Sequence, residues 1–218
     1  MRSLVLLSAL LILTSCSVRA HLTLDSPSAA KIETDVRIAP EGTAAWAALR
    51  SLDNTLPEQP FEAKSLALAM GPRAHIETEP GHVHILAPVG SHGLTLSGLK
   101  ITSSSWDVTV DRAFLRTLAA RTVWGQSPAL DTLLPNPDVK VSEQDDTDLL
   151  VYLLGSKVDE ARARTLVAQS SVELTITVPR PVLEAPGAET IKGNSATYRW
   201  PLVRLLSLSP PLVLHGTF

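Results

Sequence analysis

Residues 31–38, Lys-Ile-Glu-Thr-Asp-Val-Arg-Ile, alternate charged side chains with Ile, Val or Thr. A period of two places Ile32, Thr34, Val36 and Ile38 on one face and the four charges on the other, which predicts a strand with one wet face. The same alternation returns at 172–178 and, more briefly, at 196–200. Elsewhere the spacing is helical. Pro40 and Gly42 end the first strand, and Thr43 is placed to cap a helix over 44–54 with Trp46, Leu49 and Leu52 inward. Phe61, Leu66, Leu68 and Met70 fit a short helix stopped by Gly71 and Pro72. Asp111 caps a helix over 112–124, ended by Gly125, whose inward residues are Phe114, Leu115, Leu118 and Val123. A further helix is predicted over 158–169. Two hairpins are expected, one with strands 74–77 and 82–87 around Thr78-Glu79-Pro80-Gly81, the other with strands 139–142 and 149–154 around an acidic turn at 143–148. Stretches 94–101 and 106–110 read as additional strands, and 126–137, with Pro128, Pro135 and Pro137, reads as a loop. Strands outnumber helices, and hairpins mix with single crossover helices. That combination predicts an α+β fold: an antiparallel or mixed sheet with helices packed on one face. Strands 31–38 and 172–178 each have one apolar face and should share a sheet and a core.

The N-terminus follows a different pattern. Arg2 precedes an apolar run at 4–13, broken only by Ser8, and then come Leu13-Thr14-Ser15-Cys16. A positive start, an apolar middle and small residues at the end form the layout of a secretory signal. The run is too short for a membrane-spanning helix, which needs roughly 20 apolar residues. Leu-Thr-Ser-Cys resembles the lipobox of bacterial lipoproteins, cut just before the Cys. The resemblance implies that 1–15 is a removed signal peptide, that Cys16 is lipidated with palmitate or a similar chain, and that 16–29 is a lipidated tether. An envelope domain would then occupy 30–218. It also implies a lipid-anchored location in the bacterial cell envelope, at the outer membrane or the outer face of the cytoplasmic membrane. Ser17 is not the Asp that retains such proteins in the inner membrane of enteric bacteria, so outer-membrane sorting is permitted.

The C-terminal third carries a second resemblance. After strand 172–178 come Pro179-Arg180-Pro181-Val182, then Glu184-Ala185-Pro186-Gly187-Ala188, a turn at Gly193-Asn194, and Ala196-Thr197-Tyr198-Arg199-Trp200-Pro201-Leu202. This resembles the closing strands of LppM-type bacterial lipoprotein domains, in which a Pro-Gly stretch leads to a strand ending in Trp. It implies an envelope lipoprotein with a small α+β domain that contacts lipids, and it brings no catalytic residues. Members of that family often end in a membrane helix. Here the apolar stretch 201–214 is interrupted by Arg204, Pro210 and Pro211.

Charge narrows the partners. Nineteen Lys and Arg against 22 Asp and Glu give −3, and loss of Arg2 with the leader takes the remainder to −4. The signs are interspersed with no basic run, which argues against nucleic acid. Cys16 is the only cysteine, so the mature domain would have no disulfide and no thiol nucleophile apart from the lipidated residue. The usual catalytic signatures are missing: no Gly-x-Ser-x-Gly, His-Glu-x-x-His, P-loop or Gly-x-Gly-x-x-Gly occurs. Trp46, Trp106, Trp124 and Trp200 lie on apolar faces and are expected in the core.

One cluster of chemistry stands out. His75, His82, His84 and His92 fall within 18 residues. If the first hairpin pairs Glu77 with His82 and His75 with His84, all four side chains share one face. Three imidazoles and a carboxylate within roughly 5–6 Å are zinc-ligand types. A solvated, His-rich strand face is the plain alternative. The leading expectation is a non-enzymatic, lipid-anchored envelope protein whose soluble domain binds a partner protein or lipid at the membrane surface. The alternative is a metal-dependent hydrolase or metal-binding module built on His75, Glu77, His82 and His84.

Overall fold

The computed structural model describes residues 16–26, 29–52, 58, 63–89, 98–119, 131, 134–155 and 158–218. Numbered in chain order, the larger sheet contains β1 (Cys16–Ser26), β2 (Ala29–Ile38), β3 (His75–Glu79), β4 (His82–Val89), β7 (Ser171–Thr177), β8 (Thr190–Lys192) and β9 (Ser195–Pro201). Their order is β3-β4-β2-β1-β7-β9-β8, which puts β1 at the centre. β1 runs parallel to β7 and antiparallel to β2, and the remaining neighbours are antiparallel. A smaller sheet has the order β10-β6-β5, from β5 (Leu99–Ile101), β6 (Ser105–Val110) and β10 (Leu212–Thr217). The fold is α+β with a mixed sheet, as the pattern predicts, and 31–38 and 172–178 lie in the same sheet.

The alternation of each strand explains the layers. Val18, Leu22, Leu24, Val36, Ile38, Val83, Ile85, Val172, Ile176, Ala196 and Tyr198 are buried on one face. Against them pack buried residues of α1 (Pro40–Leu52), α2 (Ala63–Met70), α3 (Arg112–Ala119), α4 (Glu143–Leu154), α5 (Glu160–Gln169) and α6 (Leu202–Ser207), including Trp46, Leu66, Leu115, Leu150, Leu166 and Leu205. Trp106 and Leu214 bring the smaller sheet into the same core. Trp106 stacks on Phe218, with ring centroids 6.0 Å apart. The opposite face of the seven-stranded sheet is left to water.

Three expectations need correction. The segment read as a tether is β1, the central strand. Ser17, Arg19, His21 and Thr23 alternate with Val18, Ala20, Leu22 and Leu24, and the apolar set finds a core because β2 and β7 flank it. The helix expected to start after Thr43 begins at Pro40. Proline has no amide hydrogen to lose in a first turn, so it opens the helix here rather than closing the strand. The acidic run 143–148 is not a hairpin turn but the first half of α4. Ser142 caps it, accepting from the Asp145 amide while the Asp145 carboxylate accepts from the Ser142 amide. That reciprocal box satisfies two orphan amides, and the acidic residues favour the positive end of the helix. The apolar stretch 201–214 divides into α6 and the start of β10. Asp111 caps α3 as expected, through the Phe114 amide at 2.6 Å. Expectations for Phe61, His92, Val123 and Trp124 lie outside the described residues. Among the described residues, no helix is long and apolar enough to cross a membrane.

Candidate functional site

Two features of the large sheet bear on function: the strand ends around Cys16, and the wet face carrying the histidines. Cys16 opens β1 opposite Ile38, the last residue of β2. The Ile38 amide donates to the Gly81 carbonyl at 2.8 Å. On the other side Ser17 is in register with Ser171, so Cys16 neighbours Ser170, whose carbonyl accepts from the Leu202 amide at 3.0 Å. At this end the strands finish in Gly81, Ile38, Cys16, Ser170 and Leu202, of which Ile38, Ser170 and Leu202 are buried, with Glu79 exposed beside Gly81.

A cavity of about 630 Å³ opens at this end, lined mainly by apolar groups of Ile38, Pro40, Ala44, Trp46 and Ala47, with Glu58 and Glu79 at its polar side. Its size lies within the usual range for small-molecule sites. A second cleft, of about 420 Å³, lies between Ser17, Arg37, Glu41, Arg162 and Gln169. Arg162 and Glu41 form an ion pair at 3.0 Å across it, which holds the Glu41 carboxyl below its ordinary range.

The histidines lie on the wet face. His75, Glu77, His82 and His84 do share that face, but the register differs from the one expected. Glu77 pairs with His84, Glu79 with His82, and His75 with Leu86. The reason is the turn: Pro80-Gly81 makes a two-residue connection, and Gly81 takes a φ of +73° that a side chain would strain. Each imidazole then lies near at least one carboxylate, and Asp35 serves two of them. His75 Nε2 is 3.0 Å from Glu77 Oε1, at the outer strand. His82 Nε2 is 2.7 Å from Asp35 Oδ2. His84 Nε2 is 3.6 Å from Glu33 Oε1, and its Nδ1 is 4.0 Å from Asp35 Oδ2.

Asp35 is the hub that the sequence reading missed, because it reaches the histidines only through the pairing of β2 with β4. Partial burial pushes its carboxyl up, but hydrogen bonds from His82 and Arg37 outweigh that and leave it below its ordinary value. His92 lies outside the described residues. Among the described residues, no three of His, Cys, Asp and Glu form a group that could hold a metal ion. Further across, the face continues as a hydroxyl ladder: His21 Nε2 lies 2.8 Å from Thr177 Oγ1, Thr177 2.8 Å from Ser195, and Thr175 3.1 Å from Thr197. Among the described residues this face is thus charged at the β2–β4 side and hydroxylated at the β1–β7–β9 side.

A separate polar group lies in the core. Asp146 of α4 is 2% exposed. Burial pushes its carboxyl up to about 7, against the pull of Arg112. Arg112, also buried, donates to the carbonyls of Val139, at 2.7 Å, and of Ser207. The Arg112 hydrogen bonds tie α3 to the end of α6 and to the 136–139 segment, and Asp146 feels the guanidinium only through its charge.

No family model matches the chain, and no curated protein does. Among solved structures, the NMR structure of the folded domain of the Mycobacterium tuberculosis LppM protein is similar at 10% identity, with a TM-score of 0.38, over 93% of this chain and 88% of that one.

Proposed function

We propose that the protein is a lipid-anchored component of the bacterial cell envelope that works by binding rather than catalysis, its domain engaging a lipid or a partner protein at the membrane surface. The observation that carries this reading is Leu13-Thr14-Ser15-Cys16 behind an apolar leader. For the bound species, the apolar cavity beside Ile38 favours a lipid chain, since it combines ligand-sized volume with few polar groups.

The test is expression of the full chain in a bacterium with radioactive palmitate. The wild type should be labelled and shortened, whereas Cys16→Ala should accumulate unlabelled at precursor size. A labelled, normally processed Cys16→Ala protein would refute the anchor. Native mass spectrometry of the domain after incubation with phospholipid addresses the ligand. Retained lipid, lost in Ala47→Trp, supports the cavity, and retention unaffected by that change would move the site elsewhere. Turnover of a generic ester, peptide or phosphate, abolished by a point mutation, would overturn the non-catalytic reading.

A further inference from the structure

A tether between lipid and domain would let an anchored protein sample many orientations. β1 leaves no room for one. Cys16 itself is in register with Ile38, and Ser17 is paired on both sides, with Arg37 and with Ser171. The acylated residue is thus already part of the sheet. Building on the lipid-anchored reading above, we propose that the end of the seven-stranded sheet marked by Gly81, Ile38, Cys16, Ser170 and Leu202 rests directly on the bilayer, with the strands standing away from it.

Three observations converge on this geometry. First, the anchor is central: β1 has three strands on either side, so the attachment point does not favour tipping toward either edge. Second, the strand ends there carry no charge, with Ile38, Ser170 and Leu202 buried among them, and the exposed residues beside them include Pro40, Pro80 and Pro201 together with Glu58 and Glu79. The nearest cations are already engaged, Arg37 with Asp35 and Arg162 with Glu41. With those cations paired and the Glu58 and Glu79 carboxylates exposed at this end, the contact depends on the lipid rather than on attraction to anionic headgroups. Third, the opposite end is far away. There Leu24 is in register with Ala30 and Ala30 with Val89, while the Val178 amide donates to the Asn194 carbonyl at 2.9 Å. Cys16 to Leu24 spans roughly 25 Å of strand. The Gly193-Asn194 turn and the end of β4 become the membrane-distal tip. The His-carboxylate platform then stands edge-on to the bilayer, reachable by a soluble partner from the side.

Because Cys16 is the only cysteine and its thiol would carry the lipid, an introduced cysteine provides a unique free thiol. Full-length protein carrying Pro80→Cys, Gln169→Cys or Asn194→Cys would be purified in its lipidated form and labelled with an environment-sensitive fluorophore. It would then be placed in phosphatidylcholine–phosphatidylglycerol vesicles containing a headgroup-spin-labelled phosphatidylcholine. Labels at Pro80 and Gln169 should be quenched roughly threefold or more over the label at Asn194, given the separation along the strands. A flexible Gly-Ser insertion between Cys16 and Ser17 should bring all three to the Asn194 level, since the domain then floats free. Equal quenching at the two ends of the native chain, or stronger quenching at Asn194, overturns the proposal. Intact mass measured on the same samples separates the two ways of failing. Unacylated protein defeats the lipoprotein reading, whereas acylated protein with equal quenching defeats only the orientation.

Discussion

At Gly216 an added methyl group would run into the Trp106 ring. Neither neighbour can give way easily, because Trp106 is fully buried and stacked on Phe218. Gly216→Ala should therefore destabilise the domain by about 1–3 kcal/mol, read as a fall in the urea midpoint at unchanged m-value. Asp146 offers a test with the opposite sign. Its carboxyl keeps a proton up to about pH 7 in the folded protein, while in the unfolded chain it ionises near its ordinary value of about 4. Between those values the native state binds the extra proton. Stability should fall as pH rises through that window and level off above it. Asp146→Asn removes the titrating group, so the variant should be more stable than wild type at pH 8 and lose the dependence between pH 5 and 7.5. Urea melts at several pH values decide it, and a wild-type curve that instead rises over that window would contradict the burial argument. At this scale the sequence was a fair guide to what is buried: Trp46, Leu66, Met70, Leu115 and Trp106 are in the core as their spacing implied. Asp146 was not legible, because an acidic run at 143–148 reads as solvent-exposed until the helix it belongs to is known.

Elements show where local pattern suffices and where it does not. The Ser142 box was present in the sequence as Ser-x-x-Asp, but the alternation on either side suggested a hairpin, and the cap decided the matter. Ser142→Ala should cost about 1 kcal/mol, measured by chemical denaturation, with the loss concentrated in hydrogen exchange of the first turn of α4. β1 was legible in its own alternation, which is as regular as that of β2. Its place directly behind a leader made a tether the natural reading, and only the partners on both sides reveal a central strand. A chain starting at Ala29 should consequently lose cooperative unfolding and show no dispersed amide spectrum, although it lacks only what looked like a linker. The histidine hairpin shows the limit of strand parity. Parity placed the side chains on the correct face, but register depended on a two-residue turn, and Asp35 entered from a strand 47 positions away.

Over the whole molecule, the sequence implied the class and the shared sheet, but not the order of strands. Alternation says which face of a strand is wet and nothing about which strand it lies beside. That order has a consequence in time. Ser17 lies beside Ser171, so the first strand of the domain has its parallel neighbour close to the other end of the chain. A protein exported N-terminus first delivers β1 long before β7 arrives. Until then β1 can form a hairpin with β2, but one of its edges stays open. Pairing so distant in sequence is slow, because the loop must close before any contact repays it. Refolding of residues 17–218 from urea should accordingly take milliseconds to seconds, and a microsecond phase accounting for the full amplitude would exclude this view. On the proposed export route the chain would thus stay open until its last third has crossed. Acylation at Cys16 would meet an extended, accessible strand start rather than a residue already fixed in the middle of a sheet.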